Sequence, residues 1–338
     1  MLQLSRWLAT SLLLALSAAT ALAADDTGIW RYVHPNAKAY FGLDWRRASQ
    51  SFLADMVRQE VAKAGAAAIP GLELLDSMDR ILITSPGDVK PNEEPPMVAV
   101  IEGRFDLAKV REAASPSAVS RRYRGVEILE PPKGGSEIQL ALVNTNLLLL
   151  GDPASLRAVI DRQASSKFTP SGKLLDRARL LARENELWAL GAIPLQKLTG
   201  DSLPQAAAML HDIKGFEIGI TVEDGLGLQI NLDTASEETA HSLATGLSTL
   251  VALAAVQEGS SPQFAELSRQ IEIAPTGPLL RIAMHMDRRQ VEEGFAHARA
   301  RQQHRPEAIH TSARAPEPPR KKVIRIYGLD EGVREIEY

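Results

Sequence analysis

The sequence predicts an α+β protein of two similar halves, each a mostly antiparallel sheet with helices packed on one face. Three observations predict it. Apolar, strand-like runs hand over to amphipathic helices at an Asp or Thr. Neighbouring runs are joined by turns such as Glu223-Asp224-Gly225, far too short for the crossovers that parallel strands need. The order of segments also repeats, each half reading strand, helix, two strands, helix, two strands, helix.

Residues 1–23 read as a cleavable signal peptide. Met1 to Arg6 carries a single positive charge, Trp7 to Ala23 carries none, and Ala21-Leu22-Ala23 places small residues where a signal peptidase needs them. Asp25-Asp26 then ends the apolar run. A membrane anchor is the rival reading. A spanning helix needs about 20 predominantly apolar residues, and this run is slightly short and rich in Ala, Ser and Thr. The expected address is therefore periplasmic or extracellular, with no integral membrane segment after signal cleavage.

The first half is expected over residues 28–165. Ala39 to Leu43 forms a strand ending at Asp44, and Phe52, Leu53, Met56, Val57 and Val61 continue as a helix. Met97 to Ile101 leads through Asp106 into a short helix at Leu107 to Ala113. Leu147 to Leu150 leads into Gly151-Asp152-Pro153, where Asp152 can cap free N–H groups and Pro153 suits the first helical position. Arg162 to Asp176 is polar and reads as the joint between the halves.

The second half is expected over residues 177–302. Leu187 to Ala192 resembles the opening strand Tyr40 to Leu43 of the first half. Glu217 to Val222 and Leu226 to Leu232 form a hairpin whose Asp224-Gly225 supplies the turn. From Ser236 to about Gln257, Ala240, Leu243, Ala244, Leu247, Leu250, Val251 and Ala254 trace one buried stripe, with Thr234 and Glu237 in the form of a capping box. Leu279 to Met286 alternates into Asp287, which opens a helix carrying Val291 and Phe295.

The end of the chain differs in kind. Residues 303–322, with four prolines and few large apolar residues, read as a disordered linker. Residues 323–338 form a strand-forming tail in which Val323, Ile324, Arg325, Ile326 and Tyr327 are a candidate docking strand. It could complete a sheet of its own body, add to the sheet edge of a protein partner, or have no fixed structure.

Composition excludes several chemistries. The absence of Cys removes thiol nucleophiles, thiolate zinc sites, iron–sulfur clusters, disulfides and lipid attachment at a cysteine. A net charge of −4 and scattered basic pairs give no continuous track for nucleic acid. Aromatic residues at 5% weigh against a stacked-ring carbohydrate surface. Gly225-Leu226-Gly227 reads as turn and strand glycine. In Met284-His285-Met286 strand alternation sends the methionines to one face, as core, and the histidine to the other. His297, His304 and His310 are too dispersed for a metal site. No catalytic or cofactor-binding residue, and no cofactor, is assigned.

Leu147 to Leu156, Trp188 to Pro194 and the phrase GDPASLRAVIDR (Gly151 to Arg162), behind a signal peptide, resemble uncharacterised exported bacterial proteins with tandem α+β repeats of unknown function. That resemblance covers about residues 28–300 and implies an envelope role without naming a catalytic residue. The leading expectation is an exported, soluble, non-enzymatic binding or scaffold protein. A periplasmic carrier of a lipophilic ligand, with an apolar cavity between helices and sheet, is the alternative. An enzyme whose site is assembled from residues distant in sequence is a third. Oligomeric state is left open.

Overall fold

The computed structural model describes residues 28–63, 76–87, 96–114, 117–132, 137–163, 172–192, 212–256, 266–303, 323–327 and 333–337. The expected signal peptide at 1–23, and the linker from His304 to 322, lie outside the described residues. The chain divides into two compact units, Met1–Val291 and Glu292–Tyr338.

In the first unit a 3-10 turn at Ile29–Tyr32 precedes β1 (Ala39–Asp44), α1 (Trp45–Ala48) and α2 (Phe52–Lys63). Next come β2 (Met78–Ser85), β3 (Val98–Gly103), α3 (Leu107–Ala113), β4 (Val119–Tyr123), β5 (Val126–Glu130), β6 (Gln139–Asn144), β7 (Leu147–Gly151) and α4 (Pro153–Gln163). The second half runs α5 (Lys173–Glu184), β8 (Leu187–Gly191), β9 (Ile213–Thr221), β10 (Gly225–Thr234), α6 (Glu237–Val256), β11 (Glu272–Thr276), β12 (Leu279–Asp287) and the start of α7 (Arg288–Gln303). α5 thus begins inside the stretch expected to be the joint.

The four aspartates expected at strand ends act as caps. The Asp44, Asp106, Asp152 and Asp287 carboxylates accept backbone N–H bonds from Arg47 (3.0 Å), Ala108 (3.0 Å), Ser155 (2.9 Å) and Gln290 (2.8 Å). At Asp287 the box is reciprocal, Gln290 Oε1 accepting from the Asp287 N–H at 2.9 Å. The box expected at Thr234 and Glu237 is corrected. Ser236 Oγ accepts from the Thr239 N–H, while the Thr234 hydroxyl donates to the Pro278 carbonyl.

All twelve strands pair antiparallel in one sheet ordered β11-β12-β10-β9-β8-β1-β2-β3-β7-β6-β5-β4. Reading outward from the centre gives β1, β2, β3, β7, β6 one way and β8, β9, β10, β12, β11 the other. A helix follows the third strand in each direction. The order is mirrored about the β1–β8 pair, apart from the β4–β5 hairpin at one edge. The two expected sheets are fused, because β1 and β8 pair along their length from Ala39↔Gly191 to Leu43↔Leu187.

Helices cover both faces of this sheet, not one. On one face of the first half, Tyr40, Leu82, Val98, Val100, Leu149 and Trp188 pack with residues of α4, α5 and the 3-10 turn. On the opposite face α3 covers Leu129, Leu142 and Leu148, and α6 covers Phe216, Leu232 and Leu280. The stripe of α6 is buried only at its start, at Ala240, Leu243 and Ala244; Leu250 is 53% exposed. Its 20 residues extend about 30 Å, and it is the first turns that pack against the sheet. By length and composition alone α6 could cross a membrane, a feature at odds with the expectation of no such segment after the signal. Its first turns pack against β10, β11 and β12.

Asp152 gives a direct test of the strand-to-helix device. Burial opposes its ionisation, but hydrogen bonds from Ser155, Met97 and Ala154 outweigh burial and hold its pKa below the ordinary value. A depressed carboxylate contributes stability that is present above its unfolded pKa and lost as pH falls through the folded one. Asp152→Ala is expected to lose about 1–2 kcal/mol at neutral pH. The melting-temperature gap to the native protein should hold from pH 7 to 5 and shrink below the ordinary pKa of 3.8. A gap that grows on acidification would refute the assignment.

In the second unit, past the remainder of α7, β13 (Val323–Tyr327) and β14 (Val333–Glu337) form a separate two-stranded antiparallel sheet.

Candidate functional site

The face that carries α4 and α5 on the first half continues across β9, β10, β12 and β11, and there it is polar. Strand alternation brings Glu217, Gly219 and Thr221 of β9 beside Asn231, Gln229 and Gly227 of β10. These in turn lie beside Arg281, Ala283 and His285 of β12. Gln229, Arg281, His285 and Glu272 are exposed, and no core cluster of the described residues lies on this side.

The result is an open groove of about 500 Å³. Its floor is low because Gly219, Gly227 and Ala283 have little or no side chain. Gly219 also makes room for Asn185, whose amide a Cβ there would overlap. One wall is the end of α5 with Asn185; the other is Gln270, Glu272 and His285 at β11 and β12. A second hollow of about 220 Å³ beside α5 shares Asn185, Gly219, Thr221 and Gln229 with it.

Charge on the α5 side is neutralised locally. Arg177 donates to both oxygens of Glu217 at 2.8 and 2.7 Å, and Asn231 adds a bond at 3.2 Å. The Arg177 guanidinium holds the Glu217 carboxyl below its usual pKa despite burial, with help from Asn231. Asn185 is 9% exposed, and its amide N–H donates to the Leu181 carbonyl at 3.0 Å. Gln270 Oε1 is buried without a hydrogen-bond partner among the described residues. An acceptor left in that state is costly unless something else supplies a donor.

His285 lies on the groove wall and is exposed, on the face opposite Met284 and Met286. Both methionines are half-buried, so they fill core only in part. Among the described residues no group of three or more His, Asp or Glu could hold a metal. The His297 side chain, His304 and His310 lie outside them. Val323, Ile324, Arg325, Ile326 and Tyr327 pair with the chain's own last strand, in register from Val323↔Glu337 to Tyr327↔Val333.

Gly225 has an ordinary negative φ, contrary to the turn role expected of it; it is needed because a Cβ there would meet the Met286 carbonyl oxygen. The groove residues went unnoticed in the sequence. The signal was present as period-two alternation: Gly227, Gln229 and Asn231 interleave with Leu226, Leu228, Ile230 and Leu232.

No family model matches the chain, and no curated protein does. Among solved structures it is similar to TP0453 in its crystal form III. That match has a TM-score of 0.50 at 9% identity and covers 80% of this chain and 98% of that one. Crystal forms I and IV of TP0453 match at 0.46 and 9% identity. At such identity the likeness shows the fold alone.

Proposed function

We propose that this is an exported, soluble, non-enzymatic binding protein of the bacterial envelope and that the polar groove across β9, β10 and β12 is its binding face. The observation that carries the reading is the contrast between the two halves of one sheet face. In the first half that face is sealed by helices over Tyr40, Leu82 and Leu149, whereas in the second, among the described residues, it is open and lined by amides, Thr221 and Glu272. A sheet face covered in one half and left bare by the described residues of the other presents a surface for a ligand.

Two measurements test it. N-terminal sequencing of the protein from an envelope fraction should begin at Ala24; full-length protein confined to the cytoplasm would end the proposal. Ala283→Tyr, which fills the groove floor, should abolish capture of the ligand from envelope extract without lowering the melting temperature. Undiminished capture by that variant would move the binding face elsewhere.

The lipophilic-carrier reading draws on the far end of α6, where Leu250, Leu253 and Val256 are 53%, 62% and 78% exposed. Native mass spectrometry separates the two: co-purifying lipid favours the carrier, a clean protein mass the polar groove.

A further inference from the structure

From the donors and acceptors at the groove we infer that its ligand presents a primary ammonium or guanidinium group. This rests on the reading of the groove as the binding face. Among the described residues, the walls offer acceptors that no protein donor satisfies. Gln270 Oε1 is buried without a donor. Asn185, nine-tenths buried, spends its N–H on Leu181 and leaves Oδ1 over Gly219, where no hydrogen bond reaches it among the described residues. Glu272, beside Gln270, makes no ion pair with them.

Donors are scarce. Arg177 is engaged by Glu217 through two hydrogen bonds, and Arg281 reaches Gln229 Oε1 at 3.5 Å. A site of unsatisfied acceptors matches a group that only donates. Ammonium has three donors and guanidinium five, and neither has an acceptor. Sugar hydroxyls both donate and accept, and their rings favour aromatic faces, whereas the groove lining contains no Phe, Trp or Tyr among the described residues.

Such a group could belong to a free polyamine or to a Lys or Arg side chain of an extended peptide. Isothermal titration of the purified protein would use spermidine, the blocked peptide acetyl-Ala-Lys-Ala-amide, its Nε-acetyl-lysine form, and maltotriose. Saturable binding of spermidine or of the lysine peptide, with none of the acetylated peptide, is expected. Spermidine binding the tighter would identify a free amine, and the peptide the tighter would identify a side chain.

Glu272→Gln and Gln270→Leu should each weaken that binding about tenfold or more, as loss of a charge-assisted bond does, with the fold intact by circular dichroism. Equal binding of the acetylated peptide, preference for maltotriose, no saturable amine binding, or indifference to Glu272→Gln would each overturn the inference. If amines fail while Ala283→Tyr still abolishes capture, the groove stands as the binding face and only the ligand class falls. If amines bind but capture survives Ala283→Tyr, the binding-face reading fails instead.

Discussion

Trp188→Ala is expected to destabilise the protein by about 3–5 kcal/mol, the usual cost of emptying a buried indole site. Trp188 is 3% exposed and lies on β8, directly opposite Gly42 of β1, at the seam where the two halves join. Its ring stacks on Trp30, with centroids 6.0 Å apart and planes 25° apart, and Trp30 is itself 3% exposed. Gly42 is part of the same device: a Cβ there would overlap three atoms of the indole. Gly42→Ala must therefore push a rigid ring wedged under a second ring, and overpacking of that kind costs about 1–3 kcal/mol. The two changes should not add. In a Trp188→Leu background, Gly42→Ala should cost little, and a double-mutant cycle should show coupling of about 0.5–3 kcal/mol. Thermal unfolding reads the result, Trp188→Ala lowering the midpoint by roughly 6–20 °C at about 2–4 °C per kcal/mol for a chain of this size. A Trp188→Ala loss under about 1 kcal/mol, or strict additivity with Gly42→Ala, would mean that the seam is held by main-chain pairing alone.

Much of this fold was legible because its signals are local. Each strand that ends in Asp is followed by N–H groups needing an acceptor, so Asp44, Asp106, Asp152 and Asp287 mark four handovers within four residues of sequence. Tyr40 and Trp188 mark strands β1 and β8, and these are the two that pair at the seam. What stayed hidden depends on partners far apart. Fusion into one sheet rests on bonds between residues about 150 apart in sequence. Burial of α6 could not be read from its stripe, since Leu250 has the same spacing as Ala240 yet is exposed where Ala240 is buried. The groove draws on Asn185 from the end of α5 and Gln270 from the approach to β11, neither of which belongs to any motif. Strand alternation alone could have marked the polar side of β10, but not that the matching side of β3 would be sealed and this one open.

Arg47→Ala is expected to cost about 3 kcal/mol, out of proportion to a side chain that is 38% exposed. The reason is what it leaves behind. Arg47 reaches from α1 to the end of α5 and donates to the carbonyls of Ala182 (3.0 Å), Arg183 (3.2 Å) and Asn185 (2.7 Å), closing the last turn of that helix. The same guanidinium meets Glu186 at 3.2 Å, and the Glu186 side chain is only 5% exposed. Glu186 in turn accepts the Val222 N–H at 2.9 Å and, through its main chain, bonds Asp44 and Ile220, so the ends of β1 and β9 both meet it just before β8 begins. Removing one partner of a buried pair strands the other, at about 3–5 kcal/mol. The exposure of Arg47 lets water reach part of the site, which places the expectation at the low end. Arg47→Lys should recover less than half, because an ammonium cannot reproduce the planar fork that spans three carbonyls and a carboxylate. Arg47→Ala combined with Glu186→Gln should be more stable than Arg47→Ala alone, since a neutral amide is cheaper to leave unpaired and can still accept from Val222. Denaturant midpoints of the four proteins decide the matter. If the second change adds a further loss instead of relieving the first, the cost lies in the uncapped helix and not in the stranded charge. That outcome would make α5, which also positions Asn185 and Arg177 at the groove, the element whose order the ligand face depends on.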